Sequence, residues 1–185
     1  MSRTTLRPAT PDDLSLLRHW DRQPHVAAAR GDDGEFDWAA ELPRPVDWRA
    51  LLIGEVDGRA VGFIQIIDPD REETRYWGET GPGLQAIDIW IGEEADIGRG
   101  HGTAMMRLAL ARCFAAPGVE AVLVDPLAAN TRAHRFYERL GFRRVERRRF
   151  GTDDCLVLRL ERRAWLAGQE RQGTAGPYRP ATRET

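Results

Sequence analysis

The segment that most constrains the fold of this chain is a glycine-rich stretch near its middle, made of Ile97, Gly98, Arg99, Gly100, His101, Gly102 and Thr103. Apolar residues with strand character precede it at positions 85–92, and apolar residues with helical character follow it at positions 104–116. Alternate glycines lack the Cβ atoms that would keep a ligand off the backbone, so consecutive N–H groups can face an anion where a helix begins. The pattern predicts a site for a pyrophosphate, although a tight turn without a ligand has the same composition.

Composition places the chain among ordinary globular proteins. Its 185 residues suit one domain with a sizeable core, and 42% of them are hydrophobic. No window approaches the roughly 18 consecutive apolar residues of a membrane span, so we expect no membrane partner. The two cysteines, Cys113 and Cys155, have neither the spacing nor the neighbouring histidine of a metal site or a nucleophile. We therefore predict two buried thiols, no metal and a reducing, cytoplasmic location.

Charged residues are unevenly distributed, although the net charge is only −2. Positions 68–96 hold nine carboxylates and two arginines, whereas positions 143–149 hold five arginines and one glutamate. Such runs usually form solvated faces, but separated blocks of opposite sign also permit a cationic substrate on one side and an anionic cofactor on the other. We expect no nucleic-acid partner, because arginines in a strand alternate between its two faces.

Local patterns predict one domain over residues 1–161, built from strands that alternate with helices. Strands are expected at 4–9, 49–56, 59–67, 85–92, 119–124, 142–150 and 155–160, and helices near 11–20, 25–29, 104–116 and 131–140. Asp57-Gly58 predicts a tight hairpin, and Asn130 and Gly141 are placed to start and end the last of these helices.

Three segments are expected to lie outside these elements. Residues 68–83 should form a surface loop, and the acidic loop that contains Trp38 and Trp48 is a candidate substrate lid. Residues 162–185 are expected to be a C-terminal extension that becomes a loose tail from Gly168 onward, because the sequence there is polar and without period.

An aspartate stands in the middle of the strand expected at 85–92. In an extended chain Ile87, Ile89 and Ile91 share one face, while Asp88 and Trp90 share the other. Aspartate is disfavoured in strands, which makes Asp88 a candidate functional residue. Alternatively, Asp88 is a charge on an edge strand that is bonded to the adjacent loop.

The glycine-rich segment and a second motif, Asn130-x-x-Ala133-x-x-Phe136-Tyr137-x-x-x-Gly141-Phe142, together resemble the GNAT superfamily of acetyl-CoA-dependent N-acetyltransferases. The resemblance implies an α+β (α/β) fold, with a mixed central sheet flanked by helices and two central parallel strands that splay apart around the pantetheine arm of acetyl-CoA. It also implies that Ile91, the glycine-rich segment, Asn130 and Ala133 bind acetyl-CoA. One position departs from the family, whose loop usually opens with Gln or Arg where this chain has Ile97.

Within that superfamily, two stretches are similar to the aminoglycoside 6'-N-acetyltransferases. One is Tyr76-Trp77-Gly78-Glu79-Thr80 leading into Asp88, and the other is Val124-Asp125-Pro126 followed by Asn130 and Tyr137. The likeness implies acetyl transfer to a primary amine of a polycationic small molecule, in the first place the 6'-amine of an aminoglycoside. A siderophore precursor of the hydroxylysine type, a polyamine or a protein amine stays an alternative, as does a non-catalytic acetyl-CoA-binding module. We expect a monomer or a homodimer.

The chemistry assigns roles to a few of these residues. Alkyl amines are protonated at neutral pH, with lysine at pKa ~10.4 as a guide, so a carboxylate must hold the ammonium or accept its proton. Asp88 is our candidate for that role. By resemblance, Tyr137 protonates the departing thiolate and the backbone N–H near Ile91 polarises the thioester carbonyl, unless Tyr137 is simply a core tyrosine. The residues expected to bind the substrate are Asp88, Asp125, Glu79, Trp77 and Trp90.

Overall fold

Seven strands of the computed structural model, which describes residues 2–31 and 36–172, form one mixed sheet in the order β1-β2-β3-β4-β5-β7-β6. They span Thr4–Pro8 (β1), Arg49–Val56 (β2), Arg59–Ile67 (β3), Leu84–Ile91 (β4), Ala121–Val124 (β5), Arg143–Phe150 (β6) and Asp153–Glu161 (β7). The helices span Leu14–Asp21 (α1), Pro24–Arg30 (α2), Trp38–Glu41 (α3), His101–Ala115 (α4), Thr131–Arg139 (α5) and Arg162–Gln172 (α6). The predicted mixed sheet flanked by helices is therefore confirmed.

The centre of the sheet opens between β4 and β5, which are parallel neighbours. Their paired residues run only from Leu84 with Ala121 to Ala86 with Leu123. Strand β4 continues to Ile91, and its second half is paired with β3 on the other side. Each of the other pairs of neighbouring strands is antiparallel. The two central strands thus separate after Ala86, as the resemblance predicted.

Apolar side chains cover the two faces of the sheet differently. On one face Ile87 is buried against helix α4, with Met105 and Met106 fully enclosed. On the other face a second cluster, which includes Trp20 and Phe63, lies beneath helices α1 and α3. The alternating isoleucines of β4 belong to the α4 side, which leaves Asp88 and Trp90 on the side of α1 and α3.

Several local predictions are confirmed. The hairpin turn of β2 and β3 lies at Asp57 and Gly58, with φ angles of 49° and 82° that match a turn requiring the left-handed region twice. The side chain of Asn130 caps α5, and Gly141 follows that helix with φ 98°. Both cysteines are buried, and burial raises the pKa of the Cys113 thiol to about 12, which disfavours a nucleophile.

The C-terminal extension differs from the prediction. Helix α6 runs to Gln172, so the loose tail expected from Gly168 is wrong for residues 168–172, and residues 173–185 lie outside the described residues. The helix begins at Arg162, whose guanidinium donates to the carbonyl oxygens at the end of α4, Phe114 among them at 2.7 Å. Trp165 stacks on Phe114 with ring centroids 6.0 Å apart. These tertiary contacts, rather than local periodicity, stabilise the helix.

The acidic loop expected to be a substrate lid also differs where it is described. Trp38 begins helix α3 and is only 2% exposed, and its Nε1 donates to the Asp21 carboxylate. Trp38 is therefore a core residue, while positions 32–35 of the same loop lie outside the described residues. Across the ranges that are described, no helix has the length and apolar character needed to cross a membrane.

Candidate active site

The glycine-rich segment forms a turn directly before helix α4. Gly98 and Gly100 have φ angles of 83° and 88°, which residues with a Cβ atom rarely adopt. Gly100 is the N-cap residue of the helix. A Cβ built on either glycine would meet nothing within 4 Å, so the turn leaves open space in front of the helix. A 15-residue helix presents unpaired N–H groups and a partial positive charge to that space, as an anion site requires.

Gly102 has a different part in this segment. Its backbone is ordinary helix, and an added Cβ would lie 3.7 Å from the Phe136 ring and 3.9 Å from Ile91. Gly102 therefore lies between the end of β4 and helix α5. The helix begins at His101, three residues earlier than expected, so His101, Gly102 and Thr103 form its first turn, while Ile97 ends a short 3-10 segment before it.

A buried carboxylate that the sequence reasoning missed anchors this turn. Asp96 is 5% exposed and accepts two hydrogen bonds from the Arg59 guanidinium, at 2.7 and 2.9 Å. The guanidinium holds the pKa of Asp96 below its usual range, so the pair is charged at neutral pH. His101 Nε2 lies 4.0 Å from the same carboxylate. The turn is thus tied to the β2–β3 hairpin by a charged contact.

Asp88 lies on the fourth of seven strands, so it is not an edge-strand charge. Gln65 is its cross-strand partner on β3, and Gln65 Nε2 donates to Asp88 Oδ2 at 3.1 Å. Sequence reasoning did not identify Gln65. Two positions along β4, Trp90 packs on Phe63 with ring centroids 4.5 Å apart, which extends this face of the strand with aromatic surface.

Tyr137 is buried and close enough to two carboxylates to interact with them. It is 7% exposed, and its pKa is raised above its usual value, first by burial and then by the negative charges of Asp88 and Asp125. Its ring packs on Phe142 at 5.6 Å between centroids. The three residues proposed from sequence therefore share one electrostatic environment although they come from three elements. Tyr137 also belongs to the core, so the two readings of its role are compatible.

The 68–83 loop brings a tyrosine to Asp125, while its tryptophan is buried. Tyr76 is 36% exposed, and its hydroxyl donates to Asp125 Oδ2 at 2.7 Å. Trp77 is only 5% exposed and packs on Phe150 within a core cluster, so its place as a direct substrate contact is not favoured. Glu79 is exposed in the same loop. Tyr76 thus contacts the Asp125 carboxylate, a contact that the sequence analysis did not predict.

The other residues predicted to bind acetyl-CoA include Ile91 at the end of β4 and Asn130 and Ala133 at the start of helix α5. The carbonyl oxygen of Ile91, at the end of β4, accepts a hydrogen bond of 2.8 Å from His25 Nε2, which fastens helix α2 to the strand. Asn130 Oδ1 accepts from the N–H of Ala133 at 3.1 Å, which is the cap of α5. Arg99 is exposed beside the turn. The turn with positive φ angles and the start of α4 together present backbone N–H groups of the kind that bind a pyrophosphate.

The chain matches known acetyltransferases in sequence and in fold. A family model described as an acetyltransferase (GNAT) domain matches residues 9–150, and the chain belongs to that family. It is 29% identical over 152 residues to aminoglycoside N(6')-acetyltransferase type 1 from Klebsiella pneumoniae, covering 76% of this chain and 74% of that protein. The crystal structure of aminoglycoside acetyltransferase AAC(6')-Ib with coenzyme A and kanamycin superposes with a TM-score of 0.79 at 25% identity, over 93% of this chain and 100% of that one. N-hydroxyputrescine acetyltransferase from Acinetobacter baumannii is 29% identical over 119 residues, 63% of this chain and 57% of that protein.

Proposed function

We propose that this acetyl-CoA-dependent N-acetyltransferase acetylates the 6'-amine of an aminoglycoside. The observation that carries the proposal is the placement of Asp88 on β4 and of Asp125 directly after β5, on the two strands that separate, with Tyr137 on α5 under the influence of both negative charges. Two carboxylates near one gap suit an acceptor with several ammonium groups. The similarity to an aminoglycoside N(6')-acetyltransferase and to an enzyme solved with kanamycin supports the same acceptor.

Asp88 is proposed to receive the amine that reacts. An ammonium must lose a proton before its nitrogen lone pair can attack the thioester, and a carboxylate within hydrogen-bond reach, directly or through one water, can accept it. The amide of Gln65 donates to Oδ2 of Asp88, which helps to hold the carboxylate in the orientation in which it is proposed to meet the amine. Acetyl-CoA supplies the activated acetyl group.

Tyr137 is proposed to deliver a proton to the departing sulfur. Burial and the two nearby carboxylates keep its phenol protonated, so the hydroxyl is a donor throughout the neutral pH range. The backbone at Ile91, at the open end of β4, is proposed to orient the thioester carbonyl. The turn at residues 97–103 is proposed to bind the pyrophosphate, with Asn130 and Ala133 at the start of α5.

Asp125 is proposed to bind a second ammonium of the acceptor. It follows β5 on the far side of the gap, and its carboxylate is held by the Tyr76 hydroxyl. Glu79 and Trp90 are proposed to complete the site, and Trp77 is proposed to support it from the core cluster that it forms with Phe150. A monomer or a homodimer is proposed. A cytoplasmic location remains part of the proposal.

One comparison names a second acceptor class. The relative named N-hydroxyputrescine acetyltransferase acts on an aliphatic polyamine derivative, which is also a cation with a reactive nitrogen. An extended diamine could bridge Asp88 and Asp125 as two ammonium groups of an aminoglycoside would. The two classes differ in ring structure rather than in charge, so charge alone does not separate them.

Neomycin and paromomycin separate the possibilities, because they differ only in an amine or a hydroxyl at the 6' position. Release of free thiol from acetyl-CoA is followed with each antibiotic, with putrescine and with N-hydroxyputrescine. Turnover with neomycin and little with paromomycin is expected. Equal turnover of both antibiotics would exclude the 6'-amine, and turnover of the diamines alone would replace the aminoglycoside proposal.

A further inference from the structure

We propose that Glu72 is a positioning residue of the substrate site, acting through Tyr76 on the carboxylate of Asp125. The inference rests on the proposed function, because it assumes that Asp125 meets a cationic acceptor. Glu72 lies in the 68–83 loop and is 8% exposed, although glutamate is seldom buried. It has no role in the chemistry proposed above, so its burial calls for a physical reason.

Glu72 organises the loop by accepting hydrogen bonds from three donors. One carboxylate oxygen accepts from the backbone N–H of Thr74 at 2.7 Å. The other oxygen accepts from the Thr74 hydroxyl at 2.9 Å and from the backbone N–H of Tyr76 at 3.0 Å. The carboxylate therefore fixes the direction in which the chain leaves the turn at Tyr76.

The turn at residues 72–76, which Glu72 stabilises, has a backbone conformation that its residues disfavour. Arg75, between Thr74 and Tyr76, has a φ of 56°, which places a residue with a long side chain in the left-handed region. Its side chain donates to the Asp70 carbonyl oxygen at 2.9 Å. Backbone strain of this kind persists only where surrounding contacts impose it, and the three bonds to Glu72 supply such contacts.

Tyr76 carries the effect of this turn to the substrate site. Its ring lies flat on Phe150, with centroids 4.4 Å apart and planes within 6° of parallel. From that position its hydroxyl reaches Asp125 Oδ2 at 2.7 Å, across 49 positions of sequence. A shift of the Tyr76 backbone would move the hydroxyl away from Asp125 and release the carboxylate from its orientation.

Glu72→Gln is the informative substitution because it keeps the shape of the side chain and removes one hydrogen-bond acceptor. A carboxylate offers acceptors on both oxygens, whereas the amide presents N–H groups on one side. The amide NH2 group would then face at least one of the N–H donors of the turn. Glu73→Gln is the matched control, since Glu73 is the next residue, has a side chain that is 52% exposed and pairs with Arg44 outside the turn.

Two measurements test the two halves of the inference in the full-length protein. Hydrogen–deuterium exchange of residues 72–78 is expected to speed up in Glu72→Gln and not in Glu73→Gln. In steady-state kinetics with neomycin, Glu72→Gln is expected to raise the acceptor KM about tenfold, the scale of one hydrogen bond to a charged group. Its kcat and its affinity for acetyl-CoA should stay within about twofold of the wild type, because the change affects binding of the acceptor only.

Tyr76→Phe provides a second variant that removes only the hydroxyl. It is expected to raise the acceptor KM by a similar factor, and Glu72→Gln added to Tyr76→Phe should then cause little further change. A merely structural role for Glu72 would instead add its effect in full on top of Tyr76→Phe. Thermal melting of each variant checks that the fold is intact.

The possible outcomes are distinct. Faster exchange, a raised acceptor KM and non-additivity with Tyr76→Phe would support the inference. Exchange or KM values that match the Glu73→Gln control would overturn it, as would full additivity. If the wild-type protein turns over no aminoglycoside, the proposed function fails, and the exchange measurement still decides whether Glu72 orders the loop.

Discussion

Tyr137 keeps its proton in this site because a phenolate there would be both buried and opposed by Asp88 and Asp125. An acid that acts on the departing thiolate contributes to the chemical step rather than to binding of acetyl-CoA. Tyr137→Phe is therefore expected to lower kcat by roughly 10²-fold with little change in the KM for acetyl-CoA. Steady-state kinetics with neomycin, with acetyl-CoA affinity measured by calorimetry, checks this. An unchanged kcat, when chemistry limits turnover, would assign Tyr137 to the core alone.

Asp88 and Asp125 should respond differently to the same substitution. Asp88→Asn removes the group beside the reacting amine with little change of shape, so kcat should collapse for each aminoglycoside tested. Asp125→Asn should mainly raise the acceptor KM, because that carboxylate supplies binding shared by the ground and transition states.

Salt provides an independent comparison of the two carboxylates. Screening acts over about 8 to 10 Å at physiological ionic strength, so it weakens long-range attraction of the acceptor more than a close contact within the site. Added salt should mimic Asp125→Asn and not Asp88→Asn. A normal kcat in Asp88→Asn together with a loss of kcat in Asp125→Asn would reverse the two roles.

Residues of the candidate site were predictable where a local pattern revealed them. Asp88 violates a strand preference, and Tyr137 follows Asn130 in a recognisable helix motif. The contacts of Tyr76 and Gln65 were not predicted, because they join carboxylates 49 and 23 positions away in sequence. Such contacts follow from the tertiary arrangement and leave no local periodicity.

At the scale of elements, the start of helix α4 is where conformation and binding meet. Gly100→Val should weaken acetyl-CoA binding, because valine resists a φ of 88° and its side chain would enter the open space before the helix. Gly118→Val is the matched control, since its Cβ would also meet nothing within 4 Å but its φ is ordinary. Calorimetry should show weaker binding for the first variant and normal binding for the second.

Gly102→Val should also weaken acetyl-CoA binding, but for a different reason from Gly100→Val. Gly102 has ordinary helical geometry, so strain from positive φ does not apply to it. Its added side chain would instead extend toward Ile91 and Phe136 and fill the space between β4 and α5. Normal calorimetric affinity in both glycine variants would contradict the assignment of the cofactor site.

Element boundaries were less predictable than the elements themselves. Glycine disfavours helix interiors, so the sequence placed the start of α4 after Thr103 although the helix includes Gly102. Helix α6 was missed because Gly168 and a polar composition hide it, while its stability comes from Arg162 and Trp165 against the end of α4. In both cases tertiary context outweighed local propensity.

At the scale of the whole molecule, the order of strands could not be derived from local patterns. Placing β5 between β4 and β7 requires contacts far apart in sequence, and only the family resemblance pointed to the gap between β4 and β5. Tertiary contacts also explain part of the basic block at positions 143–149. In the basic block Arg144 pairs with Glu138, and Arg147 pairs with Asp154 on the neighbouring strand. These two arginines of the block therefore form ion pairs at the edge of the sheet.

The stability of the whole domain should depend on ion pairs that join separate segments. Arg7 on β1 donates to both oxygens of the buried Asp13 at 2.7 Å, which ties the first strand to the start of α1. The guanidinium holds the pKa of Asp13 below its usual range, as Arg59 does for Asp96. A carboxyl with a lower pKa in the folded than in the unfolded state stabilises the fold above its unfolded pKa of about 3.9, and this contribution is lost as pH falls through the folded value.

Asp13→Asn tests this linkage in the intact protein. At pH 7 the substitution should lower the free energy of unfolding by about 1 to 2 kcal/mol, because Arg7 is partly exposed and solvent screens the pair. The difference from the wild type should shrink as pH falls below about 4, since protonation of Asp13 then removes the same charge in the wild type. Urea denaturation of both proteins from neutral to acid pH measures this, with the exposed neighbour in Asp12→Asn as control. Parallel stability curves for the wild type and Asp13→Asn at every pH would show that the charge of Asp13 has no part in acid unfolding.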